Sequence, residues 1–281
     1  MENRDYHAHR ANGASMLKVA DSDPWLFNEM FRKKSIPPAD YSNKTPVVIG
    51  DACHQILLEQ KDPDAVVVTY PEYCKKSNGS INPKPAAEYR ELMADQGKVV
   101  VKDDDFRRII QICNSFNRDP ISKLIGQEDV ICEEPIFWND MQTGVECKCK
   151  PDFMQVGDTI DCYDLKISEN PDPKVWSRIA RRLKYYLQVA YYSNGVAHVY
   201  RKPVTFTFVV VESKAPHRIT KFKFDDISME RANESYVKLL SELARRIEKD
   251  DWTVGWEGKQ NYLTIEPWDL DLPEELEGFD E

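Results

Sequence analysis

Two kinds of segment are missing from this chain of 281 residues, and each absence excludes a class of function. No glycine-rich stretch ends in Gly-Lys-Ser or Gly-Lys-Thr, so the sequence has no P-loop for a nucleoside triphosphate. The longest apolar runs, such as FTFVVV at 206–211, are far shorter than the ~20 residues that span a bilayer. The opening residues MENRDYHAHRANGASM hold no apolar stretch, so we expect no secretory signal, no membrane partner and a soluble, cytoplasmic protein.

Cysteine is present, but its spacing is not that of a disulfide framework. The seven cysteines are an odd number without a secretory context, so free thiols are expected. Cys147 and Cys149, the one close pair, are separated by a single residue, whereas zinc sites generally use longer spacers. The sequence therefore favours free thiols over metal bound by cysteine.

Charge is unevenly distributed along the chain. The net charge is −10, but the last sixteen residues, EPWDLDLPEELEGFDE, hold eight acids and no base, so residues 1–265 carry only −2. Because residues 1–265 are close to neutral, they can present a local basic face. The negative net charge of the whole chain therefore argues only weakly against a nucleic-acid partner. We expect 266–281 to form an acidic, solvated and mobile tail.

The hydrophobic pattern changes near residue 130 and divides the chain into two parts. Residues 1–128 show helical patterns, including VVIGDACHQILLEQ and DDDFRRIIQICNSF. In 129–265 a period of two predicts VICEEPIFW, GVECKCKPDFMQV and TIDCYDLKIS as consecutive strands. We predict one α/β domain over 1–265, with a mixed central sheet flanked by helices and a helical N-terminal addition.

One helix and two further strands follow in the predicted core. The helix is predicted to begin after the N-cap Asp172 and to end at the stop signal Asn194-Gly195. PVTFTFVVVES and HRITKFKF are predicted as strands. The long final helix is predicted to bury one apolar face: Tyr236, Leu239, Leu240, Leu243 and Ile247.

Three charged residues fall in the middle of the predicted sheet. Asp164 and Lys166 are two residues apart on one strand and therefore project to the same face. If the Gly157-Asp158 turn closes a hairpin, Asp152 on the partner strand can approach Asp164. Two adjacent carboxylates repel each other unless one binds a proton or a cation lies nearby.

A divalent metal would resolve this repulsion. Mg²⁺ is typically held by one or two carboxylates together with waters and substrate phosphates. Lys166 would lie beside the metal, where it could orient or deprotonate an attacking water or stabilise phosphate charge. This combination suits phosphodiester hydrolysis. The structural alternative is an ordinary exposed hairpin whose acids pair with a lysine by chance.

These motifs resemble a known superfamily. PD at 151–152 and DLK at 164–166 resemble the PD-(D/E)xK nucleases. GDACH at 50–54 and QVAYY at 188–192 resemble the Gly-x-x-x-His and Gln-x-x-x-Tyr motifs of the RecB-like branch. FTFVVVESKAPH, with its following strand and helix, resembles the C-terminal nuclease domain of RecE-type exonucleases (exonuclease VIII). The resemblance extends from the SMLKVADSDPWLF helix to about Trp256.

The resemblance implies a set of site residues. The implied metal ligands are His54, Asp152, Asp164 and the Leu165 backbone carbonyl, and the implied catalytic residues are Lys166, Asp152, Asp164, Gln188 and Tyr192. From the residues alone, His54 could instead be a satisfied core histidine, and Gln188 and Tyr192 could form a packing face. Mg²⁺ is the expected metal, with Mn²⁺ as an alternative.

Two weaker candidates lie near these motifs. The segment after Asp172 holds the densest group of basic residues and is a candidate DNA-backbone contact, with a solvated face as the alternative: Arg178, Arg181, Arg182 and Lys184. Glu134, just before a predicted strand, could add a carboxylate through water, with a strand-edge acid as the alternative.

The resemblance also implies an activity. RecE-like enzymes degrade one strand of linear double-stranded DNA processively from 5′ to 3′ and leave a 3′ overhang for a single-strand annealing protein. Such enzymes form homo-oligomeric rings around DNA, and they occur in bacterial or phage-infected cells. The expected function is therefore that of a metal-dependent exonuclease acting on double-stranded DNA ends in recombination.

Two other functions are alternatives. RecB-like nucleases of other branches, including endonucleases and CRISPR-adaptation nucleases, share these motifs. Some of them bind an iron–sulfur cluster through one upstream and three C-terminal cysteines, but no cysteine follows Cys162, so no cluster is expected here. The third function is a catalytically silent subunit that binds DNA ends.

Overall fold

The computed structural model describes residues 3–37 and 44–260. The predicted tail at 266–281 lies outside the described residues, as does the end of the predicted 1–265 domain, so the domain boundary stays a prediction. None of the helices in 3–37 and 44–260 combines the length and the apolar composition of a membrane-spanning segment.

The described helices make up most of the first half of the chain and flank the strands of the second. They are α1 (Asn3–Ala8), α2 (Ala14–Ser22), α3 (Pro24–Phe27), α4 (Thr45–Leu57), α5 (Pro63–Val66), α6 (Pro83–Ala94), α7 (Asp103–Arg118), α8 (Pro173–Arg182), α9 (Tyr185–Tyr200) and α10 (Asp226–Lys249). A π-helical turn (Asn28–Arg32) extends α3, and 3₁₀ turns cover Glu72–Cys74 and Pro120–Leu124.

The described strands form one large sheet and two small ones. They are β1 (Val67–Thr69), β2 (Val99–Val101), β3 (Val130–Cys132), β4 (Ile136–Asn139), β5 (Glu146–Cys149), β6 (Phe153–Val156), β7 (Ile160–Ser168), β8 (Val204–Glu212) and β9 (Ile219–Phe222). The large sheet has the order β3-β6-β7-β8-β9, in which β7 and β8 are parallel and the other pairs antiparallel. The prediction of a mixed sheet flanked by helices is confirmed.

Two of the predicted strands are each broken in the middle. VICEEPIFW forms β3 and β4, and GVECKCKPDFMQV forms β5 and β6. The breaks have local causes, because Glu133 takes a left-handed backbone conformation (φ 54°) and Pro151 has no N–H to donate. The four pieces then pair separately: β3 joins β6 in the large sheet, while β4 and β5 form a hairpin outside it.

The helix predicted from Asp172 to Gly195 is two helices. Asp172 caps α8 as predicted, by accepting from the backbone N–H of Lys174, but Lys184 adopts a left-handed conformation (φ 51°) and starts a new helix, α9. Gly195 does not end α9, which continues to Tyr200. A Cβ atom at Gly195 would lie 2.5 Å from the Trp138 ring. The glycine therefore allows α9 to pack closely against Trp138 and does not end the helix.

Two cores lie on opposite faces of the large sheet. On one face α2, α9 and α10 pack against β-strand residues such as Met154 and Phe208, and the predicted apolar face of α10 lies there. On the other face α4 and α7 pack against residues such as Phe153, Leu165 and Val209. The strand β7 runs between the two cores, and β6 pairs with it only as far as Tyr163, so Asp164 and Lys166 lie beyond the end of this pairing.

Candidate metal and catalytic site

The site begins where β6 stops pairing with β7. The last pair of this ladder is Phe153 with Tyr163, and the same register places Asp152 opposite Asp164. Pro151 cannot continue the ladder. Instead, the Asp152 carboxylate accepts the backbone N–H of Leu165 at 2.5 Å, so a side chain replaces the missing strand partner.

His54 reaches this point from α4, which packs against β7. Its Nε2 atom lies 3.0 Å from the Leu165 carbonyl oxygen and 3.6 Å from Asp152 Oδ2. The imidazole is about a quarter exposed, with 27% of the side-chain surface accessible, so it is neither a fully buried core histidine nor a free surface one. One turn earlier, a Cβ atom at Gly50 would meet no other atom within 4 Å, so α4 has open space on this side.

Glu133 is the site residue that sequence reasoning missed. Its Oε1 lies 3.6 Å from His54 Nδ1, and ligand atoms of His54, Glu133 and Asp152 all lie within 4.8 Å of one another. Glu134, the residue considered from the sequence, is exposed. Two adjacent glutamates before Pro135 were the available signal, but strand periodicity could not select between them because the left-handed turn at Glu133 breaks the alternation.

Asp164 and Lys166 form a second group on β7, adjacent to the first. The Lys166 ammonium lies 2.5 Å from Asp164 Oδ2, and the Gln188 amide donates to Asp164 Oδ1 at 2.7 Å. Asp164 is buried, whereas a quarter of the Lys166 side chain is accessible. The predicted ligand Asp164 therefore lies beside the group of three ligand atoms and faces α9.

Without a bound metal ion, the charges and the burial in the site favour the protonated forms of His54 and Asp152. Burial lowers the pKa of His54, but the Asp152 charge and the Glu133 hydrogen bond outweigh it and raise that pKa to about 9. Burial raises the pKa of Asp152 to about 6, against the lowering effect of His54. Burial also acts to lower the pKa of Lys166, but the Asp164 and Asp152 charges raise it above its ordinary value, so Lys166 is an ammonium at neutral pH.

The remaining predicted residues lie around this centre. Tyr192 follows Gln188 by one turn of α9 and is partly buried; its hydroxyl has no hydrogen bond within 3–37 and 44–260. Burial raises its pKa, and the carboxylates of Asp164 and Asp152 add to the shift. The predicted DNA-binding residues lie on α8 and at its junction with α9: Arg178, Arg181 and Arg182 are exposed, and Lys184 pairs with Asp21 at 2.5 Å.

The donor set fits a divalent cation. Two carboxylates, an imidazole nitrogen and the Leu165 carbonyl oxygen converge, and a divalent cation would compensate the charge of the buried Asp152 carboxylate. Glu133 also contacts the Lys150 ammonium through its other carboxylate oxygen. Carboxylate and carbonyl oxygens suit Mg²⁺ and Mn²⁺, while the imidazole is also a ligand for softer metals, so the set does not select one ion.

Comparison with known proteins identifies the family of this chain. The family model of the "PDDEXK-like domain of unknown function (DUF3799)" matches residues 27–263. The chain belongs to this PDDEXK-like family. The predicted superfamily is therefore confirmed, while the narrower RecE-type assignment stays a prediction. No curated protein matched the sequence of this PDDEXK-like chain.

One solved structure has a fold similar to that of this chain. A crystal structure from Eubacterium rectale, named "Putative exonuclease", is 12% identical and covers 96% of this chain and 98% of its own, with a TM-score of 0.56. A second structure, named SSO0001, is 14% identical and covers 70% of this chain and 86% of its own, with a TM-score of 0.29, too low to bear on the fold. At 12% identity, the similarity to the Eubacterium rectale structure supports the fold of this chain and does not bear on its activity.

Proposed function

We propose that this protein is a metal-dependent deoxyribonuclease that hydrolyses phosphodiester bonds at the ends of linear double-stranded DNA. The observation that carries the proposal is the convergence of Asp152, Asp164 and Lys166 with His54 at the point where β6 and β7 separate. A chance surface hairpin would not bury Asp164 or hold its carboxylate with both an ammonium and an amide.

In this proposal, one set of residues binds the metal and Lys166 stabilises the charge on the phosphate. His54, Glu133, Asp152 and the Leu165 carbonyl would hold a divalent cation, Mg²⁺ or Mn²⁺, which when bound neutralises the carboxylates and polarises a phosphate oxygen. Lys166 offers ammonium donors to the negative charge that develops on the phosphate. Because its raised pKa keeps it protonated, Lys166 suits charge stabilisation better than removal of a proton from water.

Gln188 has a positioning role in this proposal. Its amide holds one oxygen of Asp164, while Lys166 contacts the other. The Asp164 carboxylate therefore has a fixed orientation, and Lys166 is kept at the site by an ion pair that is mostly shielded from water. Tyr192, one turn later on the same helix, packs against Phe206, and in this proposal its hydroxyl lies close enough to the carboxylates of Asp164 and Asp152 to feel their charge.

The exonuclease assignment and its direction rest on similarity. The motifs resemble those of RecE-type exonucleases, and the Eubacterium rectale structure of the same fold carries an exonuclease name. On this basis we assign 5′-to-3′ degradation that leaves a 3′ overhang, a homo-oligomeric ring around DNA, and delivery of the overhang to a single-strand annealing protein. A monomer at all concentrations in analytical ultracentrifugation would contradict the ring.

A time course on DNA tests activity, direction and dependence on ends together. Linear duplex labelled at the 5′ or the 3′ end is incubated with Mg²⁺, beside nicked and closed circular duplex. We expect early release of the 5′ label as short products and no cutting of closed circles. Cutting of circles would make the protein an endonuclease, and tight metal-independent binding without turnover would make it a silent end-binding subunit.

A further inference from the structure

Lys18 is a second lysine close to the Asp164–Lys166 pair, and it has no role in the site described so far. Lys18 is on α2, before residue 27, where the family match begins. Its ammonium donates to the Leu183 carbonyl at 2.7 Å and lies 5.3 Å from the centre of the Tyr185 ring. Lys18 is partly buried, and this hydrogen bond holds its ammonium at the junction of α8 and α9.

The same aromatic ring connects Lys18 to the proposed catalytic lysine. The Lys166 ammonium lies 5.5 Å from the centre of the Tyr185 ring. Since both ammonium groups lie within 5.5 Å of one ring centre, they are at most about 11 Å apart. The electron-rich ring attracts both cations and keeps them within this distance of each other.

Lys18 differs from the two nearby lysines, Lys166 and Lys184, in having no carboxylate partner among the described residues. Lys166 is paired with Asp164 and Lys184 with Asp21, both at 2.5 Å. In the described parts of the chain, no carboxylate lies within ion-pair distance of Lys18, and the Leu183 carbonyl is its one hydrogen-bond acceptor. An ammonium has three donors, so two remain for a ligand or water.

Without a bound anion, the position of the Lys18 ammonium near Lys166 is electrostatically unfavourable. Burial and the charge of Lys166 together lower the pKa of Lys18 to about 8, against the opposing effect of Asp164. An anion between or beside the two ammonium groups would remove the repulsion. The anionic group available to a nuclease is the phosphodiester of its substrate strand.

We propose that Lys18, held against Tyr185, forms a second phosphate subsite that binds a neighbouring phosphate of the strand whose scissile phosphate contacts Lys166. This inference rests on the proposed nuclease function and adds a residue that binds substrate outside the PD-(D/E)xK motifs. Lys18 fixes the strand in the site, and its contribution is to binding and not to bond cleavage.

Salt dependence of DNA binding tests the subsite without requiring cleavage. Binding of a short labelled duplex is measured in EDTA over a series of salt concentrations for wild type, Lys18→Met, Lys18→Arg and the exposed-lysine control Lys84→Met. Each phosphate contact contributes about 0.9 to the slope of log K against log salt concentration. We expect Lys18→Met to reduce the slope by about 0.9 and the affinity about tenfold, and the other two variants to match wild type.

The outcomes separate this proposal from the nuclease proposal. If wild type cleaves DNA and Lys18→Met has the wild-type slope, the nuclease stands and the subsite is wrong. If wild type does not cleave but the slope falls in Lys18→Met, Lys18 binds a DNA phosphate and the nuclease proposal is wrong. A lower melting temperature with an unchanged slope would make Lys18 a structural cap on Leu183, and wild type that does not bind duplex would also overturn the subsite.

Discussion

The Asp152 carboxylate accepts the backbone N–H of Leu165, and the Leu165 carbonyl lies 3.0 Å from His54 Nε2. Both polar groups of this one residue are therefore held by site side chains that come from the start of β6 and from α4. The backbone of β7 is fixed between them, so the side chains on either side of Leu165, Asp164 and Lys166, point reproducibly toward α9.

Removing either charge of the β7 pair should abolish cleavage. Asp164→Asn or Lys166→Met should lower kcat by about 100-fold or more, because each removes preorganised charge from a partly dry site. Cleavage of labelled linear duplex with Mg²⁺ measures the effect. Asp161→Asn is the matched control on the same strand, since Asp161 bonds Thr205 on β8, and it should keep wild-type activity. Full activity in either site variant would contradict the proposed mechanism.

Loss of the Gln188 amide should slow the reaction without weakening substrate binding. Gln188→Leu keeps the size of the side chain but removes the donor to Asp164 Oδ1. A hydrogen bond to a charged group is worth about 1.5–3 kcal/mol, so kcat should fall about tenfold or more while KM changes little. Steady-state kinetics separates the two constants. A change confined to KM would place Gln188 in substrate binding, and an unchanged kcat would remove its positioning role.

Metal affinity should rise with pH. Because the pKa of His54 in the metal-free protein is raised to about 9, a bound proton must leave before the imidazole can bind a cation at neutral pH. Below about pH 6 the Asp152 carboxyl adds a second proton to be displaced. Titration calorimetry with Mn²⁺ should therefore show about tenfold tighter binding per pH unit between about pH 6.5 and 8.5. Equal affinity across this range would exclude His54 as a ligand, and His54→Ala should flatten the dependence.

Two helix glycines should respond in opposite ways to alanine. Gly195→Ala places a Cβ atom 2.5 Å from the Trp138 ring, and such overpacking should cost about 1–3 kcal/mol of the free energy of unfolding. Gly50 has open space at the same position, so Gly50→Ala should gain up to about 1 kcal/mol from helix propensity. Urea unfolding measures both. Similar unfolding free energies for the two variants would contradict the packing role of Gly195.

Local patterns predicted the elements with strong periodicity. The stripe in DDDFRRIIQICNSF gives α7, and the buried face of α10 follows its leucine spacing. The same patterns failed at Glu133, Pro151 and Lys184, where a left-handed residue or a missing N–H ends an element that the side-chain pattern would continue. Asn194-Gly195 has the composition of a helix stop, but the Trp138 ring across the packed interface explains the glycine.

The sequence by itself determined the chemistry of the site, because Asp164 and Lys166 lie on β7 and Asp152 directly precedes β6. A short turn joins these two strands, so their register brings Asp152 opposite Asp164. Only the tertiary structure decided that Glu133 faces His54 in place of Glu134, and that Lys18 shares the Tyr185 ring with Lys166. These residues lie far apart along the chain. Their contacts depend on how helices pack against the sheet, which a local pattern does not contain.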